Sequence, residues 1–530
     1  MTGFPFTRRH FFYGSLLAGA IPAGGFGSAP SLKEAGYKSP NEKLNIAAIG
    51  AGGRAADDIN GCSSENMVAF TDPDSVSAAG MFSRYPKAPR YTDFRKMLDK
   101  EANGIDAVIV AIPDFMHGTA ANWCMERGKH VYVEKPLTHT PWEARQLAAS
   151  AAKYGVATQM GNQGYSNNGA RVAAEILWSG EIGNVTEVHA WTNRPIWPQG
   201  MTQIPPATPA PATLDWDSWI GIQSMRPYAG VATTPEEGAS PGSGGGGGGG
   251  GAQVRGFYNP FNWRGFFEFG CGPLGDMACH ILGAVNMALM LGSPTSVQVI
   301  KQEGTSTFAF PKKSVTVFEF PARHNMPPVK VYWYDAAKGP MYRPTGIPED
   351  EPLIGGPGSF GQEPRAGFGG GRGGAGRGGR AGAPTGAPAG AAAGAPAVVT
   401  PGRGGQGPRI GSQDNGAVFV GDKGVMTTDT YGAAVRLLPA SRQESYTPPP
   451  QILTRSPGHY RDWIRACKGG EPACSNFSVS GPFTEWIVMG VIALRFEGKL
   501  EWDAGKMQFT NNAAANAYVK PTFRRGWSFT

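Results

Sequence analysis

Residues 46–54 read IAAIGAGGR, a short apolar run that ends in a cluster of glycines. A helical stretch follows, and Asp72 closes the next apolar run. A strand, a glycine-rich turn, a helix and an acidic residue about 20 positions further on are typical of the first βαβ unit of a dinucleotide-binding fold. Because a glycine turn alone is a weak signal, the prediction depends on the whole unit.

The strand–helix pattern of this unit continues to residue 160. Helical stretches separate five short apolar runs, which lie at 44–49, 67–71, 106–112, 130–133 and 155–160. Alternation at this spacing predicts βαβ units and a parallel sheet. We therefore predict an α/β Rossmann-type NAD(P)-binding domain over residues 41–162.

The pattern changes after residue 162. Strand candidates then follow one another with little helix between them, at 185–192, 295–301, 314–320, 328–334 and 416–420. This succession predicts an α+β C-terminal domain over residues 163–530, with a mostly antiparallel open sheet covered on one face by helices. A glycine run at 238–252 and a Gly/Ala/Arg/Pro-rich stretch at 355–409 interrupt it. We expect both insertions to be disordered loops, because neither can bury enough apolar surface.

The composition argues against nucleic-acid binding and against metal binding. The formal net charge is +7, but residues 355–409 hold six arginines and the single acid Glu363, so this stretch contributes +5. The rest of the chain is nearly neutral, and we predict no nucleic-acid partner, although the stretch superficially resembles RNA-binding RGG segments. The six cysteines show no Cys-x-x-Cys pair and no zinc spacing. We expect buried thiols rather than disulfides, and no metal site.

The N-terminus carries a candidate export motif. Residues 7–12 read TRRHFF, and a weakly apolar, Gly/Ala-rich run follows at 13–26. This arrangement resembles a twin-arginine signal, which the twin-arginine machinery reads when it exports folded proteins. The run is too short and too rich in glycine for a transmembrane helix. We therefore predict a signal and linker over residues 1–40 and a periplasmic or otherwise exported protein, with the signal either removed or left as a membrane tether.

The glycine turn and Asp72 predict the cofactor. Gly50 permits the tight turn, Gly52 lets the backbone approach a pyrophosphate, and the following helix N-terminus offers free N–H groups. An acid at Asp72 accepts hydrogen bonds from ribose hydroxyls and repels a 2′-phosphate, which favours NAD over NADP. Arg54 is a candidate phosphate contact and leaves NADP open. The predicted cofactor residues of this unit are Gly50, Ala51, Gly52, Gly53, Arg54 and Asp72.

Two further segments end at the same edge of the predicted sheet. One strand ends at Pro113-Asp114, and the next strand ends at Glu134-Lys135-Pro136. Ligands of open α/β sheets bind at the carboxyl ends of the strands, so Lys135 should project toward the nicotinamide. The bond before Pro136 is a candidate for the cis form. Further predicted cofactor contacts are Ile112, Pro113, Asp114, His117, Glu134, Lys135 and Asn162, and His117 has the alternative role of capping its own helix.

Together these motifs resemble those of the Gfo/Idh/MocA family of sugar and cyclitol oxidoreductases. The resemblance covers most of residues 44–528 outside the two insertions. It is carried by GAGGRA at 50–55, IPDFMH at 112–117, VYVEKPLTHT at 131–140, MGNQGYS at 160–166, LDWDSWIG at 214–221, FNWRGFFEFGCGPLGDMACH at 261–280 and HYRDWIRACKGG at 459–470. The set is specific to the family and not to one substrate.

The resemblance implies a catalytic group. The family's EKP lysine corresponds to Lys135, and its Asp-x-x-x-His pair corresponds to Asp276 and His280. In such dehydrogenases the histidine is the general base for a carbinol proton, the lysine binds the same oxygen, and the aspartate tunes or relays protons. Positions four apart share one helix face, so both side chains should point into one cleft. Family members often carry another acid three residues after the histidine. This chain has Gly283 there, which removes a candidate substrate contact and argues against inositol-type specificity.

Aromatic and basic residues are the candidates for substrate binding. Four residues, Trp216, Trp219, Trp263 and Arg264, lie in segments that should rim the cleft, and Trp263, Arg264 and Trp216 are the predicted substrate contacts. Aromatic faces stack on sugar rings, and an arginine can bind hydroxyls or a carboxylate. The alternative for the tryptophans is a place in the core of the second domain.

The sequence leaves three functions open. The leading one is an exported NAD-dependent oxidoreductase that acts on a CH–OH group of a sugar, glycoside or cyclitol. The second is a redox-neutral glycosidase or lyase that keeps NAD bound and passes through a transient keto-sugar; it is motivated by the scarcity of free NAD outside the cytoplasm. The third is a non-catalytic carbohydrate-binding scaffold. We also expect a homo-oligomer, since the open sheet presents a flat face that often pairs in this family.

Overall fold

The computed structural model describes residues 42–230, 257–356, 358–361 and 413–530. The predicted signal at 1–40 and the glycine run at 238–252 lie outside these residues, and so do residues 362–409 of the second insertion.

The N-terminal domain has the parallel sheet that the strand–helix alternation predicts. Its strands are β1 Asn45–Ile49, β2 Asn66–Thr71, β3 Arg90–Tyr91, β4 Ala107–Val110, β5 His130–Glu134 and β6 Thr158–Gly161. Its helices are α1 Arg54–Gly61, α2 Ala79–Arg84, α3 Phe94–Glu101, α4 His117–Glu126 and α5 Pro141–Tyr154. The described strands pair in parallel in the order β3-β2-β1-β4-β5-β6, which is the Rossmann order. The carboxyl ends of all these strands therefore lie along one edge of the sheet.

Helix α5 illustrates how local sequence places these elements. The Thr140 side chain accepts a hydrogen bond from the backbone N–H of Glu143, and the Glu143 carboxylate accepts one from the backbone N–H of Thr140. This capping box, with Pro141 as the first helical residue, sets where the helix begins. Gly155 ends it in the left-handed conformation, at a φ of 62°. The capping box thereby fixes the end of the loop that connects β5 to α5.

The second domain is built on a larger sheet. Its strands are β7 Val185–Trp191, β8 Ser296–Glu303, β9 Lys313–Phe320, β10 Val329–Tyr334, β11 Gly416–Gly421, β12 Val425–Asp429, β13 Val435–Leu438, β14 Lys499–Asp503 and β15 Gln508–Phe509. Its helices are α6 Asn168–Trp178, α7 Trp216–Ile220, α8 Cys279–Ala288, α9 Ala440–Ser445, α10 His459–Cys467 and α11 Phe477–Ala493. The described strands run in the order β13-β12-β11-β7-β10-β9-β8-β14-β15, and β7–β10 is the parallel pair among otherwise antiparallel neighbours. The predicted mostly antiparallel sheet is confirmed.

The C-terminal helices join the two sheets into one core. Helix α11 packs on both α5 and β8, and Arg145 of α5 forms an ion pair with Glu485 of α11 at 2.5 Å. Helix α10 returns to the first sheet, where the Trp463 ring packs edge-on against Tyr132 at 5.6 Å between centroids. The two sheets are therefore held together by shared packing of α10 and α11.

The cysteines confirm the prediction of free thiols. All six are unpaired; five are buried, and Cys474 is half-buried. No helix in the described part of the chain combines the length and the apolar character needed to cross a membrane.

Candidate active site

A cleft of about 430 Å³ runs along the carboxyl ends of the Rossmann strands and extends to helix α8. Fourteen of the residues that the sequence predicted as site residues form part of its wall: Gly50, Gly52, Gly53, Arg54, Asp72, Ile112, Pro113, Asp114, Glu134, Lys135, Trp263, Arg264, Asp276 and His280. The volume lies in the range of small-molecule sites.

The glycine turn needs its glycines for packing as well as for ligand approach. Gly50 has a φ of 94°, and a Cβ there would lie 2.2 Å from the carbonyl oxygen of Ala111. A Cβ on Gly52 would lie 2.1 Å from Oγ of Ser77 and 2.6 Å from its backbone oxygen. Gly53 has a φ of 53° and faces open space. The turn therefore packs tightly beneath the cleft and is open on the cleft side at Gly53.

Asp72 closes the turn from the neighbouring strand. Its Oδ2 accepts hydrogen bonds from the backbone N–H groups of Ala51 at 2.9 Å and Gly52 at 3.3 Å, and its Oδ1 accepts one from Asp74 N–H at 2.9 Å. Burial raises the pKa of Asp72 to about 6, although these hydrogen bonds act in the opposite direction. A carboxylate at the end of β2 fits ribose hydroxyls and opposes a 2′-phosphate.

Arg54 is committed to carboxylates of the protein. Its Nε donates to Glu134 Oε1 at 3.1 Å, and its Nη2 donates to Asp58 Oδ1 at 2.9 Å and to Tyr460 Oη at 2.8 Å. Burial lowers the pKa of Arg54, but Asp58 and Glu134 outweigh it, and the pKa is raised. Glu134 also accepts a hydrogen bond from Gln163 Nε2 at 2.8 Å. The two ion pairs and the hydrogen bond to Tyr460 tie α1, β5 and α10 together at the floor of the cleft.

At the end of the cleft away from the glycine turn, a carboxylate lies among three cations. The carboxylate is that of Asp276, and the cations are Lys135 and two arginines. The Lys135–Pro136 bond is cis, as expected. The Lys135 ammonium lies 2.6 Å from Asp276 Oδ1, Arg264 Nε lies 3.5 Å from the same oxygen, and Arg194 Nε lies 3.9 Å from Oδ2. Burial opposes the charge on Asp276, but Lys135 and the arginines outweigh it and lower the pKa well below its usual range. Burial likewise lowers the pKa of Lys135, yet Asp276 and Glu134 raise it overall. The Lys135 side chain therefore stays protonated as an ammonium.

Asp276 and His280 reach the cleft from a helix that begins irregularly. Residues Leu274–Ala278 form a π-helical turn, and α8 follows directly with His280 in its first turn. Single π turns are frequent at functional sites, and this one replaces the regular i, i+4 spacing that the sequence suggested. Both side chains nevertheless face the same cleft.

His280 is a neutral imidazole. Burial, followed by the charge of Lys135, lowers its pKa to about 3. Its Nδ1 is buried and has no hydrogen-bond partner among the described residues, and the ring meets that of Tyr431 edge-on at 4.9 Å. The ring is therefore unprotonated at neutral pH and can accept a proton from a hydroxyl group, while burial and the Lys135 charge both lower its basicity.

The loop after β4 supplies a second titratable group and a brace. Burial raises the pKa of Asp114 to about 7, and its Oδ2 accepts a hydrogen bond from Cys271 N–H at 2.9 Å. His117 is buried behind the cleft wall, with Nδ1 2.7 Å from the carbonyl oxygen of Pro136 and Nε2 2.8 Å from that of Ile112. Burial lowers the pKa of His117, so the neutral ring donates from one nitrogen at a time. His117 thus braces the two loops that carry Ile112 and Pro136.

Besides His117, three predicted residues do not line the cleft with their side chains. Asn162 is fully buried; its Oδ1 accepts from Ser475 Oγ at 2.7 Å, and its Nδ2 donates to the Cys279 carbonyl at 3.4 Å. The Trp216 ring stacks on Trp219 at 4.9 Å, and Trp219 is the one that lines the cleft. Ala51 likewise contributes a backbone N–H rather than a side chain. Cleft residues that the sequence reasoning missed include Gln163, Arg194, Tyr431 and Trp527.

Comparison with known proteins agrees with this architecture. Residues 44–162 match the Gfo/Idh/MocA family model, which is described as an oxidoreductase family with an NAD-binding Rossmann fold. The segment is therefore an NAD-binding domain of that type.

Curated relatives match over limited lengths. Scyllo-inositol 2-dehydrogenase (NAD(+)) of Bacillus subtilis is 33% identical over 110 residues, 21% of this chain and 29% of that protein. The dTDP-3,4-didehydro-2,6-dideoxy-alpha-D-glucose 3-reductase of Streptomyces antibioticus is 28% identical over 160 residues, 30% of this chain and 47% of that protein. The chain thus spans less than half the length of either relative.

Solved structures match over nearly their whole length. WlbA dehydrogenase from Chromobacterium violaceum, in complex with NADH and UDP-GlcNAcA, has a TM-score of 0.51 and 13% identity over 88% of this chain and 98% of that chain. Bordetella pertussis WlbA dehydrogenase has a TM-score of 0.50 and 12% identity over 87% of this chain and 99% of that chain. At this identity the likeness concerns the two-domain fold alone.

Proposed function

We infer that the chain is an oxidoreductase of the Gfo/Idh/MocA family, and we propose that it is an NAD-dependent enzyme acting on a CH–OH group of a sugar, glycoside or cyclitol. The observation that carries this proposal is the meeting of Lys135, Asp276 and His280 in the cleft that also contains the glycine turn. The names of the curated relatives, an inositol dehydrogenase and a nucleotide-sugar reductase, support the same substrate class.

The cleft offers the groups that NAD requires. The open side of the turn at Gly53 and the N-terminus of α1 suit a pyrophosphate, and the Asp72 carboxylate suits ribose hydroxyls. Ile112 and Pro113 line the cleft between that turn and Lys135. When it is bound, the nicotinamide supplies the acceptor or donor of hydride.

The protein's own residues would handle the oxygen and the proton of the alcohol. We propose that the Lys135 ammonium donates a hydrogen bond to the carbinol oxygen and stabilises negative charge that develops there. Neutral His280 takes the hydroxyl proton. Asp276 keeps Lys135 charged, since its carboxylate lies 2.6 Å from the ammonium. The reverse reaction uses the same groups with the proton moving from His280 to the oxygen.

Two substitutions test this assignment directly. Lys135→Ala and His280→Ala should each abolish most turnover of a sugar panel while NAD binding, measured by calorimetry, persists. Lys338→Ala is a matched control, because Lys338 is an exposed lysine of the second domain. Full turnover in both active-site variants would show that these residues are not the catalytic group.

Export through the twin-arginine route is a separate proposal, supported by TRRHFF at residues 7–12 and the weakly apolar run after it. A folded reporter fused to residues 1–40 should reach the periplasm of a competent bacterial host. Replacing Arg8 and Arg9 by lysine should keep it in the cytoplasm. Export that is unchanged in the paired lysine variant would contradict the proposal.

An exported location would favour a redox-neutral reaction as the second candidate function. Free NAD is scarce outside the cytoplasm, so an exported enzyme gains from a cofactor that stays bound and is regenerated in each cycle. This candidate predicts that NAD survives purification and that a glycoside turns over without added cofactor. A strict need for added NAD in every cycle would exclude it and leave the net oxidoreductase.

A further inference from the structure

Three cationic side chains share a single carboxylate at the catalytic end of the cleft. Asp276 faces Lys135 at 2.6 Å, Arg264 at 3.5 Å and Arg194 at 3.9 Å. All four side chains are mostly buried, with exposures of 12%, 14%, 19% and 24% for Lys135, Asp276, Arg264 and Arg194. One carboxylate balances one of three positive charges, so this end of the cleft carries a surplus of positive charge.

The other titratable groups that face this end do not cancel the surplus. Glu134 is already paired with Arg54 at 3.1 Å. Burial raises the pKa of Asp114 to about 7, so a large fraction of this group is protonated at neutral pH. His280 is neutral, and burial raises the pKa of the Tyr431 phenol, so neither contributes a negative charge.

The two arginines keep donors for a ligand. Each directs Nε toward Asp276, while Nη1 of Arg194 donates to Asn193 Oδ1 at 2.8 Å and Nη1 of Arg264 donates to the Phe261 carbonyl at 3.3 Å. Among the described residues, neither Nη2 donates a hydrogen bond to the protein. The Arg264 guanidinium also lies over the Trp263 ring at 4.1 Å, which restrains its plane. Two planar guanidinium groups can donate paired hydrogen bonds to a carboxylate, and the neighbouring Trp263 ring offers an apolar face. This combination suits a carboxylate attached to a sugar ring.

We propose that the substrate is an acidic saccharide, a sugar or cyclitol that carries a carboxylate, and that Arg194 and Arg264 bind this group while Lys135 and His280 act on a carbinol of the same ring. The inference rests on the proposed function, since it takes the catalytic end of the cleft as the substrate site. It narrows the substrate class and assigns Arg194, which no motif had indicated, to substrate recognition.

Binding to paired probes tests the charge requirement. Full-length, NAD-saturated protein is titrated by calorimetry with D-glucuronate, its neutral amide D-glucuronamide and D-glucose 6-phosphate, and with the galacto and manno counterparts of each. A charge-assisted contact should make one acid bind about 10- to 100-fold more tightly than its own amide, with an advantage that shrinks as salt is added. Equal affinity for acid and amide in every pair, or a preference for the phosphate, would overturn the inference and leave the proposed function intact. Failure of every sugar to bind would contradict the proposed function itself.

Variants locate the contact. Arg194→Gln and Arg264→Gln should each reduce the ratio of kcat/KM for the acid over kcat/KM for the amide by about 10-fold or more, with Arg194→Lys intermediate because it keeps the charge and loses the fork. Arg461→Gln removes the same charge from the exposed surface of α10 and should leave the ratio at its wild-type value. Retained NAD binding shows that each variant is folded. A ratio that stays constant in the Arg194 and Arg264 variants would overturn the assignment.

Discussion

Removing Asp276 should harm the protein more than removing Lys135, although the two form one ion pair. The reason is the sharing of Asp276 among three cations. In Lys135→Met, the Asp276 carboxylate keeps Arg264 at 3.5 Å and Arg194 at 3.9 Å, so it does not become an uncompensated buried charge. In Asp276→Asn, three mostly buried cations remain around a neutral amide.

The expected magnitudes follow from this difference. Breaking a buried ion pair so that a charge is left unpaired costs about 3–5 kcal/mol. Because the cations are 12–24% exposed, we expect Asp276→Asn to lie near the lower end, at about 3 kcal/mol. Loss of one well-compensated partner in Lys135→Met should cost about 1 kcal/mol. The double variant should be more stable than Asp276→Asn alone, because it removes one of the repelling cations.

Urea unfolding of the wild type, both single variants and the double variant at neutral pH measures all four free energies of unfolding. The same variants carry a kinetic consequence. Without Asp276, burial and Arg264 lower the pKa of Lys135, so Asp276→Asn should lose turnover at a lower pH on the alkaline side than the wild type. A cost for Lys135→Met that equals or exceeds that of Asp276→Asn would refute the description of one anion shared by three cations.

Three further outcomes are expected. Gly52→Ala places a Cβ 2.1 Å from the side-chain oxygen and 2.6 Å from the backbone oxygen of Ser77, in the loop after β2. The variant should lower the free energy of unfolding by about 1–3 kcal/mol and weaken NAD binding in calorimetry. Gly80→Ala is the control and should do neither, because open space surrounds Gly80. The pKa of His280 falls from 6.5 to about 3 on folding, so its contribution to stability is complete above pH 6.5. As the pH falls toward 3, the free energy of unfolding should drop by up to about 5 kcal/mol for this reason. Imidazole signals in NMR should show a neutral His280 ring down to about pH 4, and a ring that titrates near 6.5 would contradict the burial argument. Trp527 lines the cleft with its ring 3.8 Å from the Arg95 guanidinium, and we predict that the adenine of NAD stacks on this ring. Trp527→Ala should then weaken NAD binding about tenfold in calorimetry, and an unchanged affinity would contradict the stacking.

The fold could be predicted because consecutive residues encode its elements. The apolar runs and helical stretches between 44 and 160 specify βαβ units locally, and caps such as Thr140 and Gly155 mark where helices begin and end. The bounds of β7 to β11 lie within two residues of the predicted strands. The parallel pairing of β7 with β10 was not predictable, since it joins strands about 140 residues apart.

The site was predictable where a motif carries it. Lys135, Asp276 and His280 lie in recognisable motifs, and the structure brings them to one cleft. Arg194 and Tyr431 come from distant segments with no motif, so only tertiary structure could reveal them.

Neighbouring positions show a second limit of the sequence. Asn162 and Gln163 are adjacent in the sequence. The turn after β6 nevertheless places the Asn162 side chain in the core, while Gln163 lines the cleft. Arg54 sits in the glycine motif, but its partner Tyr460 is 406 residues away, so its commitment to protein groups could not be foreseen.

The most direct test of the proposed chemistry is a chemical-quench experiment with a sugar acid deuterated at the carbinol carbon. NAD-loaded, full-length protein is mixed with this substrate and quenched during turnover, and the nicotinamide is analysed by mass spectrometry. For the wild type, we predict deuterium in the reduced nicotinamide. The label should persist if the reaction is a net oxidation and should appear transiently if the cycle is redox-neutral. Lys135→Met should show little deuterium in the nicotinamide. Conversion of the sugar with no deuterium ever found in the nicotinamide would contradict hydride transfer in this cleft.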